Sequence, residues 1–384
     1  MAQAFPGTMA TSLGDKLKRA RLAKGLSTRE VASSISDRYA ITHATLSNYE
    51  GARTTPSMAT LAILASFYER PLTWFFESGR LLSNVQYRNL KSRTRVADQQ
   101  HFEAQAQRWL EAYWLLEDKL GGQAKLHNAQ PDFRASAQES GSELAGRMRA
   151  MLGLKPTESI RSVTDLIDQF GIRTIELKTN LPIDGMAARF DDEYAIVLNP
   201  SIANDRCRMN AAHELGHILL GDCDKECGHG DSMPEKRAYD FASHLLIPDS
   251  QLEVAFTGRS MVRLVKAKEY FGISLSAMIY RAEQASIIPK SVAKWLWIEF
   301  AKRGWRKEEP GTVRPDRATR FEDILESAVA EGRLTWESAA KVMRVSEDEL
   351  HLRMRIALGR GDDTPSKGGE DAEDGPATLS IFAR

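Results

Sequence analysis

Apolar residues recur at helical spacing along most of this chain and alternate only briefly. Leu13, Leu17, Ala20 and Arg21 fall at helical spacing before Gly25, which predicts a first helix from Leu13 to Lys24. Ser27-Thr28-Arg29-Glu30 is a capping box, opening a second helix through Val31, Ala32 and Ile35. Thr42 can cap a third, with Leu46 and Tyr49 inward and Gly51 as its stop. Pro56-Ser57 opens a fourth through Leu61, Leu64, Ala65 and Phe67, and Pro71–Phe76 forms a short fifth. Five helices are therefore predicted between residues 12 and 80.

Residues 81–142 read as a helical connector and linker. A helix from about Gln99 to Leu120 carries Trp109, Tyr113, Trp114 and Leu116 on its apolar side, as an interhelix contact or the seam of a homodimer. The Gln-, Ala-, Ser- and Gly-rich stretch after Gly121-Gly122 reads as linker. Two helices follow over 143–170. Alternation then predicts a strand at Ile172–Leu177 and a hairpin from Met186–Phe190 and Tyr194–Leu198, joined by an acidic turn. Such a strand can pair with an extended peptide backbone if it lies beside a site, or can be ordinary core sheet. Helices return over 251–300 and at 318–331, 335–343 and 346–357. The Gly-, Asp-, Glu- and Ser-rich tail over 359–384 reads as disordered.

The chemistry is concentrated in His213-Glu214-Leu215-Gly216-His217. Four-residue spacing puts both imidazoles on one helix face, one turn apart. Two such imidazoles can occupy two corners of a zinc tetrahedron, with the adjacent glutamate placed to act on water at the metal. The alternative is a chance match with two histidines satisfied in a core. A third ligand should come from a helix packed against this one. Between Pro234 and Pro248, Ala238, Phe241, Ala242 and Leu245 make one apolar face, and Glu235 extends that face at the helix start.

At these residues the chain resembles the ImmA/IrrE metallopeptidases. The matching pattern is Arg208, His213-Glu-Leu-Gly-His217, Glu235, Ala238, Phe241, Ala242 and Leu245-Leu246-Ile247-Pro248. The resemblance assigns His213, His217 and Glu235 to a Zn2+ ion and Glu214 to general-base catalysis. It covers roughly residues 143–300. Tyr239 stands where the family pattern has Asn, and Asn210 where it has Thr. Tyr194, Arg208 and Tyr239 are candidates to stabilise an oxyanion. Between the two helices, Cys223, Cys227 and His229 could bind a second metal or act as a redox-sensitive inhibitor, or could be incidental to a loop.

Residues 12–80 resemble the Xre/Cro-type helix-turn-helix family, through Leu13-Gly14, Leu17, Arg21, Gly25-Leu26-Ser27, Ala32, Leu46-Ser47, Glu50, Pro56 and Leu61–Ala65. Its link between the second and third helices is about four residues longer than usual. Carrying the pattern across, His43, Ala44 and Asn48 face the major groove of duplex DNA and Thr28 faces a phosphate. Arg29 and Thr42 complete the expected contacts. Lys16, Lys18, Arg19, Arg21, Lys24, Arg29, Arg38 and Arg53 outnumber the local acids, as phosphate binding needs. A protein-interaction module with a solvated charged face is the alternative.

Composition adds limits. The whole chain of 384 residues balances 52 acidic against 52 basic residues, so charge is informative only locally. No apolar run approaches membrane-spanning length, and three cysteines do not make a disulfide framework, so the expected compartment is the cytoplasm. The expected fold is mostly α: a five-helix helix-turn-helix domain, then an α+β zincin-like metallopeptidase domain with a small sheet, then C-terminal helices over 301–358. The expected function is a DNA-binding transcriptional regulator with zinc-dependent endopeptidase activity. Its protein substrate would be a repressor or other regulatory protein in a stress or mobile-element response. The alternative is a non-proteolytic transcription factor whose metal domain senses a ligand or metal.

Overall fold

The computed structural model describes residues 12–36, 39–76, 82–88, 94–136, 138–190, 193–224, 232–343 and 345–357. The N-terminal head holds α1 (Leu13–Ala23), α2 (Thr28–Ile35), α3 (His43–Glu50) and α4 (Met58–Phe67), closed by a 3-10 turn at Leu72–Phe75. Ser12 with Asp15 and Ser27 with Glu30 form reciprocal capping boxes that start α1 and α2. Leu17, Val31, Leu46, Leu61, Leu64 and Trp74 fill its core. A side chain at Gly14 would lie 2.7 Å from the Tyr49 and Glu50 carbonyl oxygens, so glycine is what lets α1 cross α3 this closely.

Beyond the head run β1 (Leu82–Arg88), α5 (Val96–Leu120), α6 (Gly141–Met151), α7 (Val163–Gln169), β2 (Arg173–Glu176), β3 (Gly185–Phe190) and β4 (Glu193–Leu198). Then come α8 (Asn204–Leu219), α9 (Ser232–Leu246), α10 (Asp249–Phe256), α11 (Met261–Phe271), α12 (Leu275–Gln284) and α13 (Lys290–Lys302). The described chain closes with α14 (Arg320–Ala330), α15 (Trp336–Met343) and α16 (Glu347–Ala357). No described helix is long and apolar enough to cross a membrane.

The sheet order is β1-β3-β4-β2, with β1 and β4 antiparallel to β3, and β2 parallel to β4. Strand alternation sends two sets of side chains to opposite faces. Ala187, Ile196 and Leu198 join Ala212, Leu215, Phe241 and Leu245 in one core, with α8 and α9. Met186, Phe190 and Val197 join Trp109, Tyr113, Phe321 and Leu325 in a second, with α5 and α14. From Arg208 to Leu219 every residue of α8 is buried, so this helix lies in the middle of the first core.

Two expectations change here, and an alternative left open is decided. β1 is absent from the reading of 81–120 as helical connector. Its Leu82-Ser83-Asn84-Val85-Gln86 is too short and too polar for alternation to stand out, and β3 supplies the missing pattern. The aromatic side of α5 is covered within the chain: Trp109 and Tyr113 meet Phe321 edge-on, with ring centroids 5.9 and 5.4 Å apart. That side is accordingly an interhelix contact and not a dimer seam. The stretch read as linker is docked, since Arg134 donates to the Ile218 carbonyl at 2.6 Å and the Ala135 amide to that of Leu219 at 3.0 Å. The tail over 359–384 lies outside the described residues.

Candidate metal centre and nucleic-acid face

α8 and α9 cross with Gly216 at their contact. A Cβ there would lie 2.9 Å from Phe241 Cδ1 and 3.3 Å from Ala238 Cα, so the glycine between the two histidines lets α9 come close. The crossing brings the start of α9 over the histidine face of α8. His213 Nε2 and His217 Nε2 are 2.9 Å apart, and each lies 3.3 Å from a Glu235 carboxylate oxygen. Ligand atoms about 2.0–2.1 Å from a tetrahedral zinc are separated by roughly 3.3 Å, so the three donors fit one ion. Among the described residues, this is the group of His, Cys, Asp and Glu whose donor atoms lie close enough to share a metal.

The surroundings favour a cation. Burial pulls the His217 pKa down. Hydrogen bonds to Asp222 and Glu235, with the nearby Glu214 carboxylate, outweigh it and hold the pKa at about 9. Burial likewise opposes ionisation of Glu235, yet the two histidines hold its carboxyl far below the usual range. Asp222 Oδ2 accepts from His217 Nδ1 at 2.8 Å, which leaves Nε2 directed at Glu235 and His213. Both histidines are buried while the Glu235 side chain is 45% exposed, so the group opens to one side. That side is a cleft of about 1460 Å³ whose walls include Glu235, Tyr239, His244, Tyr280 and Trp297. Glu214 is fully buried and its Oε1 lies 3.8 Å from a Cβ built at Gly185, where β3 begins.

In the head, α3 exposes His43 and Ala44, with Thr42 as its N-cap and Asn48 half-buried one turn on. Thr28 begins α2, half-buried, and Arg29 beside it is exposed.

Residues 167–283 match the family model described as IrrE N-terminal-like domain, and residues 12–73 match that described as helix-turn-helix domain. The chain joins a helix-turn-helix domain to an IrrE N-terminal-like domain. Over 174 residues it is 28% identical to the radiation response metalloprotease IrrE of Deinococcus radiodurans. That match covers 41% of this chain and 49% of the relative, so the chain spans about half of that protein's length.

Within the IrrE-like domain, the three oxyanion candidates part company. Arg208 is buried and donates to the Asp316 carboxylate and, at 2.7 Å, to the Ile160 carbonyl, so its guanidinium is a structural tie. Tyr194 gives its hydroxyl to Asp224 and stacks beneath Arg134. Neither lines the cleft, whereas Tyr239 does, edge-on to Tyr280 at 5.8 Å. Cys223 is buried in the core and lies outside the His-His-Glu group, while Cys227 and His229 fall outside the described residues. Asp222 was missed: Gly221-Asp222 reads as a helix stop, and a carboxylate five residues after the second histidine is the signal that could have found it.

The basic surface of the helix-turn-helix domain is smaller than the sequence count implies. Lys16 is 2% exposed and donates to the Trp74 carbonyl. Arg21 grips Glu50 through two bonds of 2.6 and 2.7 Å, tying α1 to α3. Lys24 pairs with Glu69 at 2.7 Å. Lys18, Arg29 and Arg53 remain exposed, and Arg38 lies outside the described residues.

Proposed function

We propose that this chain is a DNA-binding transcriptional regulator whose IrrE-like domain is a zinc-dependent endopeptidase acting on a repressor or other regulatory protein. The observation that carries it is the meeting of His213, His217 and Glu235, with Glu235 reaching from the buried histidines to the wall of the cleft of about 1460 Å³. The relative's name, a radiation response metalloprotease, supports a role in a stress response. Zinc held by these residues would supply Lewis acidity, polarising the scissile carbonyl and lowering the pKa of water. Glu214 takes a proton from the attacking water and delivers it to the leaving amine. Asp222 fixes the tautomer and aim of His217. Tyr239 presents a hydroxyl on the cleft wall, one helical turn from Glu235, where it donates to the carbonyl oxygen as negative charge develops. The test compares the proteins cleaved and co-purified by the native chain and by Glu214→Gln.

Metal analysis of the purified chain should find about one zinc per molecule, and His217→Ala should lose most of it. Asp222→Asn should keep the ligands but weaken zinc affinity about 10–100-fold, measured by competition with a chelator. Full zinc content in His217→Ala would place the metal elsewhere.

The head should bind duplex DNA with steep salt dependence. Asn48→Ala should blunt sequence preference more than affinity. Arg29→Ala should weaken binding to all sequences alike and reduce the salt slope by about 1. A salt-independent interaction would favour a protein-binding head.

A further inference from the structure

The Gly185 end of β3 lies against the candidate centre. Glu214 sits on the face of the strand there, and the turn after α8 that carries Asp222 packs against both β3 and β1. If the domain is a peptidase, this is where an extended substrate backbone would add as a further strand. The position is taken by the chain itself. β1 runs antiparallel to β3, from Leu82 opposite Phe190 to Arg88 opposite Gly185. Asn84 Nδ2 donates to the Cys223 carbonyl at 3.0 Å, fastening β1 to the residue that follows Asp222.

β1 is paired less regularly than β4, the strand on the other side of β3. β3 and β4 pair without a break from Gly185–Leu198 to Phe190–Glu193. The β1 register breaks between Ser83 and Gln86, and within that break Asn84 has a φ of 49°, in the left-handed region. Leu82, Asn84, Val85, Gln86 and Tyr87 are only half-buried. α5 holds β1 by two clamps: Gln107 accepts from the Leu82 amide at 2.7 Å, and Glu103 accepts from the Tyr87 hydroxyl. The same stretch of α5 holds the head. His101 bonds the Leu22 carbonyl at 2.6 Å, and Glu111 accepts from Trp74 Nε1 at 3.3 Å.

We infer that Leu82–Arg88 is an internal occupant of the substrate-strand position, and that the peptidase works only when this strand leaves β3. The inference rests on the peptidase reading above. It also gives the fusion of head and peptidase a physical meaning, because head and strand share one helical mount.

The test uses the zinc-loaded full chain in two forms. Ser83→Cys/Arg189→Cys, at directly paired positions, locks β1 to β3 when oxidised and frees it when reduced. Asn84→Ala loosens β1 by removing the bond to Cys223 and straining the left-handed residue. In a Glu214→Gln background, a fluorescent peptide copying residues 82–88 should bind Asn84→Ala at least tenfold more tightly than the oxidised lock. With Glu214 intact, alkylated casein should be cut at least tenfold faster by Asn84→Ala than by the oxidised lock. Dithiothreitol should return the locked protein to wild-type behaviour, which a misfolded variant would not do. Equal peptide binding by the locked and loosened forms, or binding by neither, overturns the inference, as does measurable cutting at the same rate by both. Selective peptide binding without cleavage by any form sustains the strand's role and sinks the peptidase reading instead.

Discussion

Glu214→Gln should cut the rate of substrate cleavage by roughly a hundred- to ten-thousand-fold, the usual cost of losing a general base. Glu214 stands outside the His213, His217 and Glu235 group, so zinc content should be unchanged. The substitution is isosteric at a fully buried position, so the fold should also persist. DNA binding should survive, because the head has its own core. A strain carrying Glu214→Gln should therefore behave like a deletion for cleavage while still occupying its operator. Wild-type regulation in that strain would mean that proteolysis is not the protein's task. The domain would then be a metal or ligand sensor, a reading to which Tyr239, in place of the family's Asn, gives some footing.

Asp316→Ala should be the most damaging single change to stability outside the metal group. Asp316 sits in the segment between α13 and α14 and is buried. Its carboxylate accepts from the Val163 amide at 2.7 Å, from Thr164 Oγ1 at 2.8 Å and from Ser162 Oγ at 2.9 Å, capping the start of α7. It also neutralises Arg208, whose pKa burial pulls down and Asp316 pulls back. Alanine leaves that guanidinium buried without its counter-charge, a loss of about 3–5 kcal/mol. The thermal midpoint should fall on the order of 10 °C, read by calorimetry. Removing both charges, as Arg208→Met/Asp316→Leu, should cost less than Asp316→Ala alone. If Asp316→Ala unfolds like wild type, the pair contributes nothing and Arg208 is available for another role.

The sequence by itself determined the local elements and the family resemblance. The capping box at Ser27, glycine stops and apolar spacing are short-range signals, so the helices of the head and the β3–β4 hairpin were legible within a few residues. The four-residue histidine spacing and the Glu235 face were legible for the same reason, since both are properties of one helix at a time. Only the tertiary structure decided which distant groups meet. β1 has too little pattern to identify itself, and its place is set by an edge of β3 about a hundred residues away. The family pattern makes Arg208, just ahead of the motif, a candidate site residue, but its partner is 108 positions on. Lys16, Arg21 and Lys24 counted as phosphate binders until folding brought Trp74, Glu50 and Glu69 to them. A charge's sign is written in the sequence. Whether it faces solvent or a partner depends on long-range packing, and that packing also lets Gly216 bring Glu235 to the two histidines.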